Sequence, residues 1–216
     1  MKDKLVFYSK SPDLKPGKYK GKNWSEYVED AGKYKKLATI TNWRKKLSNM
    51  YIAPFELDGK RWNSVEHFFH AAKYRDKFPS YYETFTIDGG KPWSIDPFLS
   101  KRAGKAGRLS KAGKVYRSKI DGVSVPTNVK MRDDFYDQHH WIVMMFALFA
   151  KFSQNDELRE LLMSTGRADL YHLITERGKS SRLQLWDHLM KIRVCMKKIS
   201  REYPNVDLKQ ISNYSS

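Results

Sequence analysis

The segment that most constrains the fold is a stretch of twenty residues, FELDGKRWNSVEHFFHAAKY at positions 55–74. Its first part has two short runs on either side of Asp58-Gly59, a pair preferred in type I′ turns, which predicts a β-hairpin. Asn63 or Ser64 can then cap a helix over Val65–Tyr74. A strand pair followed at once by a helix indicates an α+β chain.

The predicted helix carries a carboxylate, an imidazole and an amine in a row. Glu66, His70 and Lys73 are spaced by four and three residues, so their side chains share one stripe of the helix. On spacing alone, a solvated face with ion pairs is the commoner interpretation of such a row. A reaction centre is the alternative, and an apolar opposite side fits both.

The rest of the chain is mostly helical in its patterning. A short strand is expected at Leu5–Ser9, and 79–93 and 119–130 are expected to be irregular or loop-like. The sequence therefore predicts a single α+β domain, mostly α-helical, with a short sheet. Its other helices are expected after Asp96 and at about Asp133–Phe152, Asp156–Ser164 and Ser181–Tyr203.

The segment Lys10–Lys46 differs from the rest in being basic and rich in proline and glycine. We interpret it as an insertion or a long loop, with a short helix near its middle. Because it carries many cations, it is the first candidate for binding nucleic acid, if any part of the chain does.

The net charge restricts the partners. Forty-one Lys and Arg residues against 24 Asp and Glu give a formal charge of +17 at pH 7. Such an excess attracts polyanions, which include both phosphorylated metabolites and nucleic acid. Charge alone does not choose between these two.

The compartment is expected to be intracellular. Cys195 is the one cysteine of the chain, which excludes an intramolecular disulfide and a thiolate metal cluster. We expect it to be a small buried residue of the last helix. The first residues lack the features of a signal peptide, and the longest apolar run, Trp141–Ala150, is too short to span a bilayer. The chain is therefore expected to be soluble, without membrane contact, in a reducing compartment such as the cytoplasm.

One stretch of the chain resembles a known family. LSNMYIAPFELDGKRWNSVEHFFHAAKY is similar to the signature of the NADAR proteins, the YbiA-like N-glycosidases. In that family a Ser-Asn turn, a Pro-Phe pair, a hairpin ending in Trp, and a Ser-x-Glu-His helix with Ala and Lys occur in this order. The matching positions here are Ser48, Asn49, Pro54, Phe55, Trp62, Ser64, Glu66, His67, Ala71 and Lys73.

The resemblance extends more thinly over most of the chain, outside probable insertions at about 10–46, 81–95 and 110–129. Arg108 matches the family's Gly-Arg, and Phe135 stands where the family usually has Trp. His70 stands where family members often have Gln. The family's late acidic loop with Trp-Gly-x-Gly has no counterpart before the predicted last helix.

The resemblance implies an enzyme, a hydrolase that cleaves ribosyl N-glycosidic bonds. Its substrates would be early phosphorylated intermediates of riboflavin biosynthesis, ribosylaminopyrimidine 5′-phosphates, cleaved to ribose 5-phosphate and the free base. Removal of ADP-ribose from guanine in nucleic acid is a second possibility. A basic nucleic-acid-binding module that has lost the chemistry is a third, from a different functional class.

Glu66 and Lys73 are the expected catalytic residues. A carboxylate beside C1 of the ribose can stabilise an oxocarbenium-like state or activate water. A lysine can instead attack C1 of an opened sugar and form a Schiff base. By resemblance, the substrate would be bound by Ser48, Asn49, Trp62, His67, His70, Arg108 and Phe135.

Neither a metal nor a cofactor is expected, and water is the only co-reactant. The adjacent His139 and His140 point in different directions on a helix, and no spaced carboxylate or cysteine completes a ligand set. No Gly-x-x-x-x-Gly-Lys motif is present in the sequence, which argues against an NTPase.

Overall fold

The computed structural model describes residues 1–107, 118–175 and 180–211. The fold is α+β, and within these ranges helices supply most of the regular structure. The strands are β1 Lys4–Phe7, β2 Lys20–Gly21, β3 Trp24–Ser25, β4 Phe55–Leu57, β5 Lys60–Trp62, β6 Lys119–Ile120, β7 Val123–Ser124, β8 Asp169–Ile174 and β9 Arg182–Leu185. The α-helices are α1 Lys35–Thr39, α2 Trp43–Leu47, α3 Val65–Ala71, α4 Pro79–Glu83, α5 Pro92–Ile95, α6 Pro97–Ala103, α7 His140–Gln154, α8 Asp156–Ser164, α9 Asp187–Glu202 and α10 Leu208–Ile211.

The chain packs as two compact units that interleave in sequence. The first unit comprises Met1–Tyr51 and Asn155–Leu208, and the second comprises Ile52–Gln154 and Lys209–Ser216. The single domain and its insertions stay predictions.

The first unit is built on a three-stranded sheet in the order β1-β8-β9. Strand β1 runs parallel to β8, with Leu5 opposite Leu170, and β9 returns antiparallel to β8. Leu5, Val6 and Phe7 have at most 1% of their surface exposed, since β1 is buried on both faces.

The basic segment 10–46 contains more regular structure than the sequence predicts. It holds the β2–β3 pair, a 3₁₀ turn at Ala31–Tyr34, and helices α1 and α2. Trp43 and Leu37 are fully buried, so this part of the chain contributes to the core of the first unit. The expectation of a long loop is wrong. The few apolar residues between the lysines of this segment pack into the interior of the first unit.

The second unit begins with the predicted hairpin. Strands β4 and β5 pair antiparallel, with Phe55 opposite Trp62. Asp58 and Gly59 between them both have positive φ, 60° and 65°, as a type I′ turn requires. Helix α3 follows and ends at Ala71, three residues earlier than predicted.

Two stretches expected to be irregular are structured. Residues 79–93 contain α4, a 3₁₀ turn at Ile87–Gly89 and the start of α5. Residues 119–124 form the hairpin β6–β7, whose turn residues Asp121 and Gly122 have φ values of 49° and 76°. The sequence thus contains a second Asp-Gly hairpin signal, inside a segment that is expected to be a loop.

The helices in the second half of the chain are partly as predicted. The bounds of α8 agree with the prediction, while the helix expected at Asp133–Phe152 is a π-helical stretch, Phe135–His139, continued by α7. Helix α9, which corresponds to the predicted last helix, begins at Asp187, and residues 182–185, expected to be helical, form strand β9. Strand β8 was not predicted.

No helix in the described ranges has both the length and the apolar character needed to cross a membrane. Cys195 is exposed on α9, contrary to the expectation that it is buried.

Candidate active site

Helix α3 places the candidate catalytic row inside the second unit. Its residues Val65, Phe68 and Ala71 are buried on one side, and Glu66 and His70 are buried on another. A helix that buries opposite sides cannot present a solvated face. The solvated interpretation of the row is therefore excluded by its position.

The three polar side chains form one continuous hydrogen-bonded row. Nε2 of His70 lies 3.0 Å from Oε1 of Glu66, and Nζ of Lys73 lies 2.9 Å from Nδ1 of His70. The exposed fractions are 8% for Glu66, 5% for His70 and 2% for Lys73. Lys73 belongs to the turn after α3 and still continues the stripe.

The charges of the row follow from burial and proximity. Burial, followed by the positive charge of Lys73, lowers the pKa of His70 to about 4, although Glu66 acts in the opposite direction. Burial by itself raises the pKa of Glu66, but the hydrogen bond from His70 and nearby positive charges outweigh it and lower the pKa. At neutral pH the row therefore holds a carboxylate and a neutral imidazole.

The neutral imidazole has one tautomer that satisfies both neighbours. The Glu66 carboxylate can only accept, so Nε2 of His70 carries the proton and donates it to Oε1. Nδ1 is then a lone-pair acceptor, to which the Lys73 ammonium donates. Both contacts are normal hydrogen bonds in this arrangement.

The amine of Lys73 also contacts aromatic rings and a backbone carbonyl. Nζ lies 5.5 Å from the ring centroid of Phe69, 5.8 Å from that of Phe135 and 5.2 Å from that of Tyr136. The carbonyl oxygen of Gly104 lies 3.4 Å from Nζ. Ring faces and a carbonyl stabilise the ammonium form.

Gly104, just after α6, lets His70 lie against the backbone. A Cβ at this position would lie 2.2 Å from Nδ1 of His70, which is a severe overlap. The residue has φ of −62°, so the need for glycine is one of space rather than of backbone conformation. This role is not predictable from the sequence, since no local pattern indicates which side chain will contact a glycine.

Helix α6 also supplies a cation at the outer end of the row. Nζ of Lys101 lies 4.0 Å from Oε1 of Glu66, and the Lys101 side chain is 56% exposed. Screening by solvent keeps such a contact weak. The Glu66 end of the row is thus nearest to water, and the Lys73 end is innermost.

Two aromatic residues expected to bind substrate are core residues in this structure. Trp62 has no exposed surface, packs against Phe68 and Tyr82, and donates from Nε1 to the carbonyl of Leu57. Phe135 is 1% exposed. Trp62 therefore presents no exposed ring face in this structure, and its role in substrate binding stays a prediction. Phe135 instead contributes one wall around Lys73.

His67 is fully buried one turn before His70. Its Nδ1 lies 2.7 Å from Oγ of Ser64, so the Ser64 side chain bonds the ring instead of capping α3. Burial lowers the pKa of His67 to about 4. Among the described residues, Nε2 of His67 has no hydrogen-bond partner. Asn63, the other predicted cap, donates to the carbonyl of Ser94.

The other residues expected to bind substrate are Ser48, Asn49 and Arg108. Ser48 and Asn49 belong to the turn after α2 in the first unit, where Oγ of Ser48 accepts from the amide of Met50. Arg108 lies outside the described residues. In residues 1–107, 118–175 and 180–211, no group of three His, Cys, Asp or Glu side chains is arranged to hold a metal ion.

No protein-family model matches the sequence, and no curated protein matches it. Among solved structures, the chain is similar to the NMR structure of the E. coli protein YbiA, a NADAR family member. The chains are 21% identical, the match covers 95% of this chain and 90% of YbiA, and the TM-score is 0.49.

Proposed function

We propose that the protein is an N-glycosidase that hydrolyses a ribosyl N-glycosidic bond with the Glu66–His70–Lys73 row. The observation that supports this best is the continuous hydrogen-bonded row itself, with each member at most 8% exposed. Burying three ionisable side chains is costly unless they are paired, and such clusters concentrate at functional sites.

Glu66 is suited to the charge that develops in this reaction. Cleavage of the bond builds positive charge at C1 of the ribose, and a carboxylate beside C1 stabilises it or activates the attacking water. Glu66 has a lowered pKa and lies at the outer end of the row. It is therefore ionised when the substrate arrives.

Lys73 is suited to covalent catalysis. After the ribose opens to an imine between C1 and the base nitrogen, a neutral amine can add to C1. Two protons then move from Nζ to the base nitrogen, and the base leaves as a free amine. Water hydrolyses the resulting lysine imine, releasing the sugar aldehyde and regenerating the amine.

The substrate we propose is a ribosylaminopyrimidine 5′-phosphate, in line with the resemblance of the 47–74 segment to the NADAR signature. The amino substituent at C1 of such a compound permits ring opening, which the lysine route requires. Arg108 is the proposed phosphate ligand, by the same resemblance.

A second candidate, removal of ADP-ribose from guanine in nucleic acid, is favoured by a basic groove in the first unit. The groove has a volume of about 770 Å³, and Asp187 is the acidic residue of its lining. The cations of this lining, hereafter the α9 groove, are Lys2, Arg167, Lys191, Arg193, Lys197 and Lys198.

Like charges are crowded in the α9 groove. Burial lowers the pKa of Lys197, and the positive charges of Arg193 and Arg167 lower it further. Arg193 serves the fold, since it donates to Thr165 and to the carbonyl of Ala168. Mutual repulsion of this kind is relieved when a polyanion binds.

The test of the enzymatic proposal is Glu66→Gln, assayed for base release from ribosylaminopyrimidine phosphates and from ADP-ribosylated guanosine. A charge stabiliser or general base is worth at least about a hundredfold in rate, and this is the expected loss. Glu56→Gln on β4, an exposed carboxylate of the same unit, is the matched control and should keep the wild-type rate.

The outcomes separate the candidates. Release from only one of the two substrates identifies the substrate class. Wild-type turnover by the Glu66→Gln variant would contradict the catalytic role of Glu66. Absence of release by the wild-type protein from both substrates, with nucleic acid still bound, would favour a binding module without chemistry.

A further inference from the structure

The amine of Lys73 needs a proton acceptor before it can react. In the resting row it is an ammonium that donates to Nδ1 of His70 and contacts three ring faces. An ammonium has no lone pair with which to attack C1. The site must therefore move one proton away from Nζ, and water has little access to Lys73, a residue that is 2% exposed.

We propose that His70 is a catalytic residue that takes this proton, so that Glu66, His70 and Lys73 act as a proton relay. This role rests on the proposed N-glycosidase function with Lys73 as the nucleophile. Nδ1 is the acceptor, because it lies 2.9 Å from Nζ and Nε2 already holds its proton against Glu66. The relay assigns His70 to proton transfer in place of substrate binding.

The row neither gains nor loses a proton over one turnover. Before transfer the row holds a carboxylate, a neutral imidazole and an ammonium, with a net charge of zero. After transfer it holds a carboxylate, an imidazolium and a neutral amine, again with zero. Once water has hydrolysed the lysine imine, the imidazolium returns its proton to Nζ, and no proton has been exchanged with solvent.

The transfer also removes the charge that opposes it. Besides burial, the positive charge of Lys73 disfavours protonation of His70 most, ahead of that of Lys101, and the charge of Lys73 disappears as the proton moves. The new imidazolium then faces the Glu66 carboxylate at 3.0 Å, a charge-assisted hydrogen bond in a water-poor site. Glu66 thereby assists the amine through His70, as a carboxylate orients a catalytic histidine in other relays.

The charged side chains that act on His70 come from its own helix, from the turn that follows this helix and from α6. His67, Glu66 and Lys73 lie on its own helix or the turn that follows, and Phe69 meets its ring edge. Lys101 adds a positive charge from α6. Of these, Glu66 is the one anion, so its carboxylate is the group that stabilises an imidazolium at His70.

The test compares wild type with His70→Gln, since glutamine can hydrogen bond but cannot take up a proton. Base release is measured by rapid mixing at saturating ribosylaminopyrimidine phosphate between about pH 6 and 9. We expect the wild-type rate to be nearly independent of pH, because the proton stays within the row. The variant must lose its proton to hydroxide, so its rate should rise about tenfold per pH unit and lie at least about tenfold below wild type at pH 7.

Two further measurements separate proton transfer from positioning. Imidazole added to His70→Ala should restore part of the rate, in proportion to the concentration of neutral imidazole. His139→Gln, which removes a histidine bonded to Asp134 at the start of the same unit's long helical stretch, is the control and should behave as wild type. A His70→Gln variant with the wild-type rate and pH profile would overturn the proposal, as would a wild-type rate that rises with hydroxide.

A readout without turnover keeps the relay testable if the substrate assignment fails. In histidine labelled with ¹⁵N, the long-range proton–nitrogen spectrum reports the tautomer, and the His70 signals are those missing from His70→Gln. The relay requires the Nε2-protonated form at pH 7, and the Nδ1-protonated form would overturn it. Absence of base release by wild type, with the expected tautomer present, would instead count against the proposed function alone.

Discussion

Each unit contains a buried network of charged side chains, and these two networks differ in how completely they are paired. In the first unit Arg44 is 1% exposed and Glu26 is 5% exposed. In the second unit the row of Glu66, His70 and Lys73 is buried to a similar extent. Depth of burial therefore does not distinguish them.

The Glu26 carboxylate is saturated with donors. It accepts from Nε and Nη2 of Arg44 at 3.1 and 2.6 Å, and from the amides of Val6, Gly17 and Tyr19. The Arg44 guanidinium also donates to the carbonyls of Leu14 and Lys15 and lies 4.0 Å from the ring centroid of Trp43. Five bonds to one carboxylate leave no room for a ligand, so this network holds the chain together.

The Glu66 carboxylate is different. Within the described part of the chain it accepts one hydrogen bond, from His70, and has one longer contact, to Lys101. A carboxylate has about four lone-pair sites, so most of its capacity is available for a substrate or water. A saturated buried carboxylate indicates a structural role, whereas an unsaturated carboxylate in a hydrogen-bonded row can still bind a substrate or water.

The largest expected effect is on the stability of the first network. Arg44→Met leaves the Glu26 carboxylate buried without its cation, which typically costs about 3–5 kcal/mol in the free energy of unfolding. Glu66→Gln should cost about 1 kcal/mol, because one hydrogen bond is at stake. Urea unfolding of both variants measures the difference, and equal costs would remove the distinction between the two networks.

The next effect concerns the space around His70. Gly104→Ala places a Cβ against Nδ1 of His70, so the ring must move away from Lys73. We expect a cost of about 1–3 kcal/mol in stability and a loss of base release of at least about tenfold.

The matched control for this change is the double variant His70→Ala/Gly104→Ala. If the overlap with the His70 ring causes the loss of stability, Gly104→Ala should cost much less in the His70→Ala background than in wild type. Alanine at position 70 removes the overlap, so the two costs are not additive. Additive costs, or a Gly104→Ala variant with wild-type activity, would show that the position of His70 does not depend on Gly104.

The second network should make the free energy of unfolding depend on pH. His67 and His70 have folded-state pKa values of about 4, whereas an unfolded histidine titrates near about 6.5. Between these values the unfolded chain binds more protons than the folded one. The free energy of unfolding therefore falls as the pH is lowered from about 6.5 to about 4, by up to about 1.4 kcal/mol per pH unit for each histidine.

His70→Gln should reduce this slope, since one of the two histidines is removed. Urea unfolding at several pH values between about 4.5 and 7.5 provides the comparison. Arg44→Met removes no histidine, so its curve should run parallel to that of wild type in this range. An unchanged slope in His70→Gln would mean that His70 titrates alike in both states.

The smallest expected effect concerns the surface charge of the first unit. Lys197→Gln/Lys198→Gln should weaken binding of single-stranded DNA or RNA. The slope of log K against log salt should fall by up to about 1.4, since each phosphate that a cation neutralises on a single strand adds about 0.7 to the slope. Lys60→Gln/Lys119→Gln removes two cations of the second unit and is the control for charge alone.

The basic segment 10–46 is the competing site for nucleic acid. Because this segment contains buried residues such as Trp43 and Arg44, deleting it would remove core and could not report on binding. Lys18→Gln/Lys20→Gln/Lys22→Gln changes exposed positions only. A larger fall in the salt slope for this variant than for the α9 groove variant would place the nucleic acid on the segment.

Local sequence signals are sufficient where the structure depends on neighbours along the chain. The hairpin at Asp58-Gly59 is predictable because a two-residue turn with positive φ requires these residue types. Helix α8 is predictable because acidic residues at its start and a regular apolar spacing occur within nine residues. The same spacing places Leu189, Ile192 and Met196 on the buried side of α9.

Local signals fail where pairing involves distant parts of the chain. Strand β9 lies where the sequence predicts the start of the last helix. Leu183 and Leu185 are compatible with the spacing of a helix and with that of a strand. Pairing with β8 makes the segment a strand. The segment 10–46 has the composition of a loop, yet its buried ion pair joins Glu26 to Arg44, eighteen positions later. The resemblance assigns Trp62 to the substrate, although its burial depends on Phe68 and Tyr82.

The sequence by itself determined that Glu66, His70 and Lys73 share a stripe, because helical periodicity fixes which side chains are neighbours. Only the tertiary structure decided that this stripe is buried, since burial depends on α6 and the π-helical stretch, which are distant in sequence. Gly104 and Phe135 come from those elements and lie against His70 and Lys73. Periodicity selects the side of a helix, and packing decides whether that side meets water or a closed interior where a proton can pass from an amine to an imidazole.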